Sequence, residues 1–171
     1  MTDFNLEERV EKAKRLFKEN GYNCCQAVVL AYNDIFDIDD TTAAALSSGF
    51  GGGMGRMREV CGSVSGMVLL AGLIQPATDP SDKAGRTANY AMVQDVAAEF
   101  KALNGSIICK ELLGLSTCSA PASDNIHGIP ESPVPSDRTA EYYKKRPCEE
   151  LVGISAHIIG KKILNWIAAD K

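Results

Sequence analysis

Residues 59–74 read EVCGSVSGMVLLAGLI, and almost every side of that stretch is apolar. A surface helix keeps a polar face, whereas a helix that is hydrophobic all round is buried. The stretch therefore predicts a buried central helix, preceded by the glycine-rich loop SGFGGGMGR at 48–56. Its Gly62, Ser65, Gly66 and Gly72 cost helix propensity, so they are expected where a neighbouring backbone comes close.

Around this centre the helical period repeats. Leu6, Val10, Ala13 and Phe17 share one face of a helix over 5–19, with Gly21 as its stop. Asn23 caps a second helix over 23–36, and a short one follows at 41–48. The longest amphipathic segment is 81–104, with Tyr90, Val93, Val96, Ala97, Phe100 and Leu103 on its stripe. A short helix is expected in SIICKELLG at 106–114. Pro147 suits the first turn of a last helix whose stripe is Val152, Ser155, Ile159, Ile163 and Trp166. Between them, 115–138 is a Pro- and Ser-rich irregular excursion. No segment alternates long enough to read as a strand, and no repeat is present. The expectation is an all-α fold, one domain over 1–171, built as a bundle of about five to seven helices.

The chain has 171 residues, enough to bury a core without disulfides. With 45% hydrophobic and 23% charged residues it reads as globular rather than disordered or membrane-embedded. A net charge of −4 with interspersed signs lacks the basic stripe that nucleic acid requires. Neither a signal-peptide pattern nor an apolar run of spanning length is present, so no membrane partner and a cytoplasmic location are expected. Six cysteines in a reducing compartment lean toward metal, redox or catalytic use, although free cysteine also serves as a small buried hydrophobe.

Cys24 and Cys25 are adjacent, and consecutive helical residues diverge by about 100°, so they face different partners and do not bridge. Cys24, Cys61, Cys109 and Cys148 all fall near predicted helix N-termini. Unpaired N–H groups and the helix dipole favour a thiolate there by about 0.3–1 kcal/mol. Arg56, Arg58, Lys110 and Arg146 add positive charge, while Glu111 and Glu149 oppose it. No C-x-x-C occurs, which excludes zinc-ribbon, thioredoxin-type and haem-attachment motifs. Convergence of these thiols must come from the fold, as bundles allow. An active thiol site and buried structural cysteines stay open as alternatives at this point.

In the glycine loop, G-x-G-x-x-G is not completed because Arg58 holds the last position, and no strand precedes it. Gly51, Gly52, Gly53 and Gly55 are read first as a tight reversal, and second as a nest of N–H groups for an anion or thiolate. His127 and His157 read as solvent or core residues, and Asp37, Asp39 and Asp40 as a solvated helix entrance. Met54, Met57 and Met67 read as packing residues.

The series N-C-x-Q-A-V at 23–28, GFGGGMGRM-x-EVCG-x-VSG at 49–66, NGSIICKELLG at 104–114 and R-x-C-x-x-L-V at 146–152 resembles the C-GCAxxG-C-C family. The resemblance implies a helical, redox-active protein and matches Cys24, Cys61, Cys109 and Cys148 to the family cysteines. At the GCAxxG segment this chain reads Gly53-Met54-Gly55-Arg56-Met57-Arg58, with Met54 in place of the cysteine and Arg58 in place of the last glycine. Cys25 and Cys118 lie outside the pattern and are accessory.

Three functions follow as expectations. In the first, Cys61 is the nucleophile, helped by Arg56 or Arg58, and Cys109 or Cys24 resolves the mixed disulfide. In the second, Cys24, Cys61, Cys109 and Cys148 hold a metal or iron–sulfur cluster. In the third, the chain is an oligomerising helical module with space-filling cysteines. The cofactor is accordingly either none or a thiolate-bound metal or cluster. The partner is a redox protein or a small-molecule substrate, and a homodimer suits all three.

Overall fold

The computed structural model describes residues 4–115 and 132–169. Helix α1 (Leu6–Lys18) starts at Asn5, whose side chain accepts from the N–H groups of Glu7 and Glu8, and it buries Val10, Ala13 and Phe17. The chain turns at Gly21, with φ of 77°, into α2 (Cys24–Leu30). A reciprocal cap between Asn23 and Gln26 fixes the start of α2.

Helix α2 is shorter than the 23–36 expected. A 3-10 turn over Asn33–Phe36 follows it, and Asp37 closes that turn in the left-handed region. The cause is local: the buried Asn33 amide donates to Ile38 O at 2.7 Å and Asp40 Oδ1 at 2.8 Å, competing with the helical ladder. Helix α3 (Asp40–Ser47) is capped by Asp39, the acidic helix entrance anticipated from sequence.

Helices α4 (Gly62–Ile74), α5 (Lys83–Asn104), α6 (Cys109–Leu112), α7 (Ala140–Lys145) and α8 (Cys148–Ala169) complete the described residues, which contain no strand. Helix α4 lies at the centre, against α2, α5 and α8, while α1 packs along α8 and α2. Val64, Met67, Leu70 and Ala71 of α4 meet Val96, Phe100, Val152, Ile159 and Ile163 in one core. A Cβ at Gly66 would sit 2.8 Å from Val28 Cβ, so α2 and α4 approach closely at this glycine.

Two further boundaries differ from the sequence expectation, both for a non-local reason. The segment 59–61 is extended because it pairs with 107–109: Cys61 N–H donates to Ile107 O at 2.8 Å, and Cys109 N–H donates to Glu59 O at 2.6 Å. This antiparallel bridge, centred on Val60 and Ile108, delays α4 to Gly62 and shortens the 106–114 helix to α6. On α5, the neighbours α4 and α8 cover Val96 and Phe100 but leave Tyr90 and Leu103 in solvent. Helix α7, capped by Thr139, lies where no helix was anticipated. Of the excursion, residues 116–131, with Cys118 and His127, lie outside the described residues. Among the described residues no helix is long and apolar enough to cross a membrane.

Candidate functional site

Cys24, Cys109 and Cys148 are the first residues of α2, α6 and α8, and Cys61 is the N-cap of α4. All four line one cavity of about 50 Å³, together with Arg58, Arg138, Arg146 and Tyr142. Cys61 and Cys109 are buried, at 6% and 7% exposure, while Cys24 and Cys148 are partly exposed. In the antiparallel bridge, Cys61 lies opposite Ile107, two residues before Cys109. The two cysteines thus lie diagonally across this single bridge, on the same face, and each acts electrostatically within the same cavity.

The glycine loop makes the wall of this cavity. From Gly52 to Arg56 every residue has φ between 58° and 72°, so the backbone makes a continuous left-handed turn. Met54, Arg56 and Arg58 adopt this region without being glycine, at a cost of about 1–2 kcal/mol each. The turn is held by Met54 N–H to Phe50 O at 3.2 Å, Arg56 N–H to Gly51 O at 3.1 Å and Arg58 N–H to Gly52 O at 3.2 Å. Strain of this kind persists where surrounding structure over-determines it, and its product here is the position of Arg58. That side chain is buried, with Nη1 3.9 Å from Cys109 Sγ.

The two arginines expected near Cys61 therefore separate. Arg58 serves Cys109, whereas Arg56 reaches out to Ser132 O at 3.0 Å and Ser136 Oγ at 3.2 Å. The loop glycines separate as well. Gly53 faces Cys109, where a Cβ would lie 2.8 Å from the cysteine Cβ, and Gly51 faces the Asn23 side chain. The Gly52 N–H is directed at Cys24, so one member of the anticipated nest does meet a thiol. A Cβ at Gly55 would make only an ordinary contact, 3.9 Å from Gly49 O, and its requirement is backbone conformation. In α4, a Cβ at Gly62 would collide with Cys24 Sγ and lie 2.8 Å from Phe50 O.

Burial dominates the thiol electrostatics. It pushes Cys61 up to about 11, reinforced by the charge of Cys24 and opposed by Ser63, whose Oγ is 3.3 Å from the sulfur. It pushes Cys148 up to about 11 as well, reinforced by Cys61 and Cys109 and opposed by Arg146 and Arg58. Cys24 is raised by burial against the Gly52 N–H, and Cys109 is raised by burial against the touching Arg58 guanidinium. Desolvation thus outweighs the helix-end advantage expected from sequence. Cys109 stands apart because a full positive charge in contact is the first influence favouring its thiolate.

Sequence reasoning missed Arg138, Tyr142 and Asn23 as site residues. Arg138 Nη1 donates to Phe17 O at 2.9 Å and Tyr22 O at 3.0 Å while its guanidinium covers the Phe17 ring at 4.9 Å. Arg146 stacks over Tyr142 at 4.7 Å. Arg138 lies in an irregular segment without periodicity, so no sequence signal marked it. His157 is on the surface beside Glu7, and Cys25 is sealed in a separate cluster with Val29, Leu30 and Ala43. Among the described residues, no group of three or more His, Cys, Asp or Glu side chains is arranged to hold a metal ion.

Fold and site define an all-α protein whose helix starts gather cysteines around a small arginine-lined chamber. The chain belongs to the family described as "Putative redox-active protein (C_GCAxxG_C_C)", whose model matches residues 22–162. That match spans all four cavity cysteines and supports a redox role in general terms. No curated protein and no solved structure matches the chain significantly.

Proposed function

We propose that the protein carries out two-electron thiol–disulfide exchange in this cavity, in a reducing cytoplasm, with Cys109 attacking and Cys61 resolving. The observation that supports it is the meeting of four thiols in one small cavity with Arg58 against Cys109. Cys109, as the thiolate, attacks one sulfur of a substrate disulfide and forms a mixed disulfide, and the other substrate half leaves as a thiolate. Cys61 then gives up its proton and attacks Cys109 Sγ, releasing the second half as a thiol. The substrate gains two electrons, and a Cys61–Cys109 disulfide remains. The sequence expectation gave the attack to Cys61, and the contact of Arg58 moves it to Cys109. Cys24 and Cys148, which share electrostatic influence with both, are positioned to accept the oxidised state in turn.

The test is alkylation and intact mass on anaerobic protein before and after a small disulfide oxidant, with peptide mapping and metal content on the same sample. The expected result is a reversible loss of two free thiols, mapped to Cys61 and Cys109. In Cys61→Ser the mixed disulfide accumulates on Cys109, whereas in Cys109→Ser initial attack falls by about a hundredfold or more. Thiols that stay reduced overturn the proposal, and stoichiometric metal lost on substituting any one of the four would put a thiolate-bound metal in its place.

A further inference from the structure

The thiol chamber does not stand alone. A second cavity of about 370 Å³ adjoins it and shares Asn23, Gly52, Arg58, Arg138 and Tyr142 with its lining. The inner chamber, at about 50 Å³, is several times smaller than the outer one. The outer one falls in the size range of small-ligand sites. This geometry separates a reacting end, which enters among the thiols, from a body that stays outside. It also disfavours a folded protein as substrate, because Cys61 and Cys109 are buried beyond the reach of a disulfide fixed on another protein's surface.

Charge narrows the class further. In a chain of net charge −4, the described linings of the two cavities contain Arg56, Arg58, Arg138 and Arg146 and no Asp or Glu. Arg138 rests on backbone carbonyls and the Phe17 ring, and Arg146 on the Tyr142 ring, so among the described residues no carboxylate is in direct contact with either charge. Both guanidiniums are thereby oriented while their charge still projects a field into a low-dielectric space, where it attracts anions strongly.

Building on the thiol-exchange proposal, we infer that the substrate is a low-molecular-weight disulfide carrying carboxylates, with its sulfurs in the inner chamber and its carboxylates against Arg138 and Arg146. The bond changes are those of the exchange above: the small disulfide takes up two electrons from Cys109 and Cys61 and leaves as two carboxylate-bearing thiols.

The experiment compares three disulfides of matched length: 3,3′-dithiodipropionate, bis(2-hydroxyethyl) disulfide and cystamine. The rate of protein oxidation by each is divided by the rate of the same disulfide with free dithiothreitol, which removes intrinsic reactivity. The dianion is expected to lead the dication by about tenfold or more at low salt, with the neutral compound between them and the ratio shrinking as ionic strength rises. Arg146→Gln is expected to lower the dianion-to-dication ratio by severalfold, a ratio in which any common change in thiol reactivity cancels. Equal normalised rates for all three overturn the substrate inference and leave thiol exchange standing. No oxidation by any of them or by a protein disulfide, with the thiols unchanged, overturns both. Oxidation by a protein disulfide but by none of the three overturns the small-molecule assignment alone.

Discussion

Cys24 and Cys25 are neighbours in the chain and belong to different parts of the molecule. Cys24 opens onto the arginine-lined chamber, with the Gly52 N–H and Gly62 against its sulfur. Cys25 is fully buried among Val29, Leu30 and Ala43, where burial drives its thiol far upward and no cation faces it. The same side chain lines a cavity on one side of α2 and fills the core on the other. Helix phase, rather than residue type, decides which.

Two glycines of α4 sit behind this pair and offer the strongest way to break the contrast. Gly62→Ala forces its methyl into Cys24 Sγ, and Gly66→Ala forces one against Val28 Cβ at 2.8 Å and Cys25 O at 3.1 Å. Each is expected to cost about 1–3 kcal/mol in thermal or denaturant unfolding. Only Gly62→Ala should also change the alkylation rate of Cys24, because only that glycine adjoins the chamber. Substituting the cysteines themselves sharpens the comparison. Cys25→Ser places a hydroxyl in an apolar cluster and should cost about 1–3 kcal/mol without affecting disulfide formation. Cys24→Ser, at a partly exposed site, should change stability by no more than about 0.5 kcal/mol.

Alkalinity gives the mildest test. Cys61 and Cys148 hold their protons up to about 11 in the folded chain, whereas an unperturbed thiol releases its proton near 8.5. Between these values the unfolded chain binds fewer protons than the folded one, so stability falls as pH rises. The contribution is complete below about 8.5 and fades toward 11. Denaturant midpoints measured from pH 7 to 10 should decline, and a Cys61→Ala, Cys148→Ala double variant should show a flatter decline. An unchanged slope in that variant would place the alkaline sensitivity elsewhere.

Much of this organisation was legible in the sequence. The apolar run at 62–74, the capping Asn23 and Pro147 before Cys148 located α4, α2 and α8, and with them three of the four thiols at helix starts. Local rules suffice there, because caps and periodicity act over a few residues. What the sequence withheld depends on pairing at a distance. The extended 59–61 segment exists because 107–109 lies beside it, and that bridge sets Cys61 diagonal to Cys109. Likewise, only the left-handed turn reveals that Arg58 faces Cys109 while Arg56 faces Ser132 and Ser136. Three non-glycine residues in that turn run against local propensity, so propensity could not have announced it.

The four cavity cysteines are spread from residue 24 to residue 148, and each is delivered by a different helix. Contacts so distant along the chain close late, after loop-closure entropy has been overcome. During synthesis and folding these thiols therefore behave as ordinary exposed cysteines, open to any oxidant and to pairing in the wrong order. In the proposed exchange, selectivity would arise only once the last helix docks, so reactivity at Cys109 would double as a report that the whole chain has reached its native state.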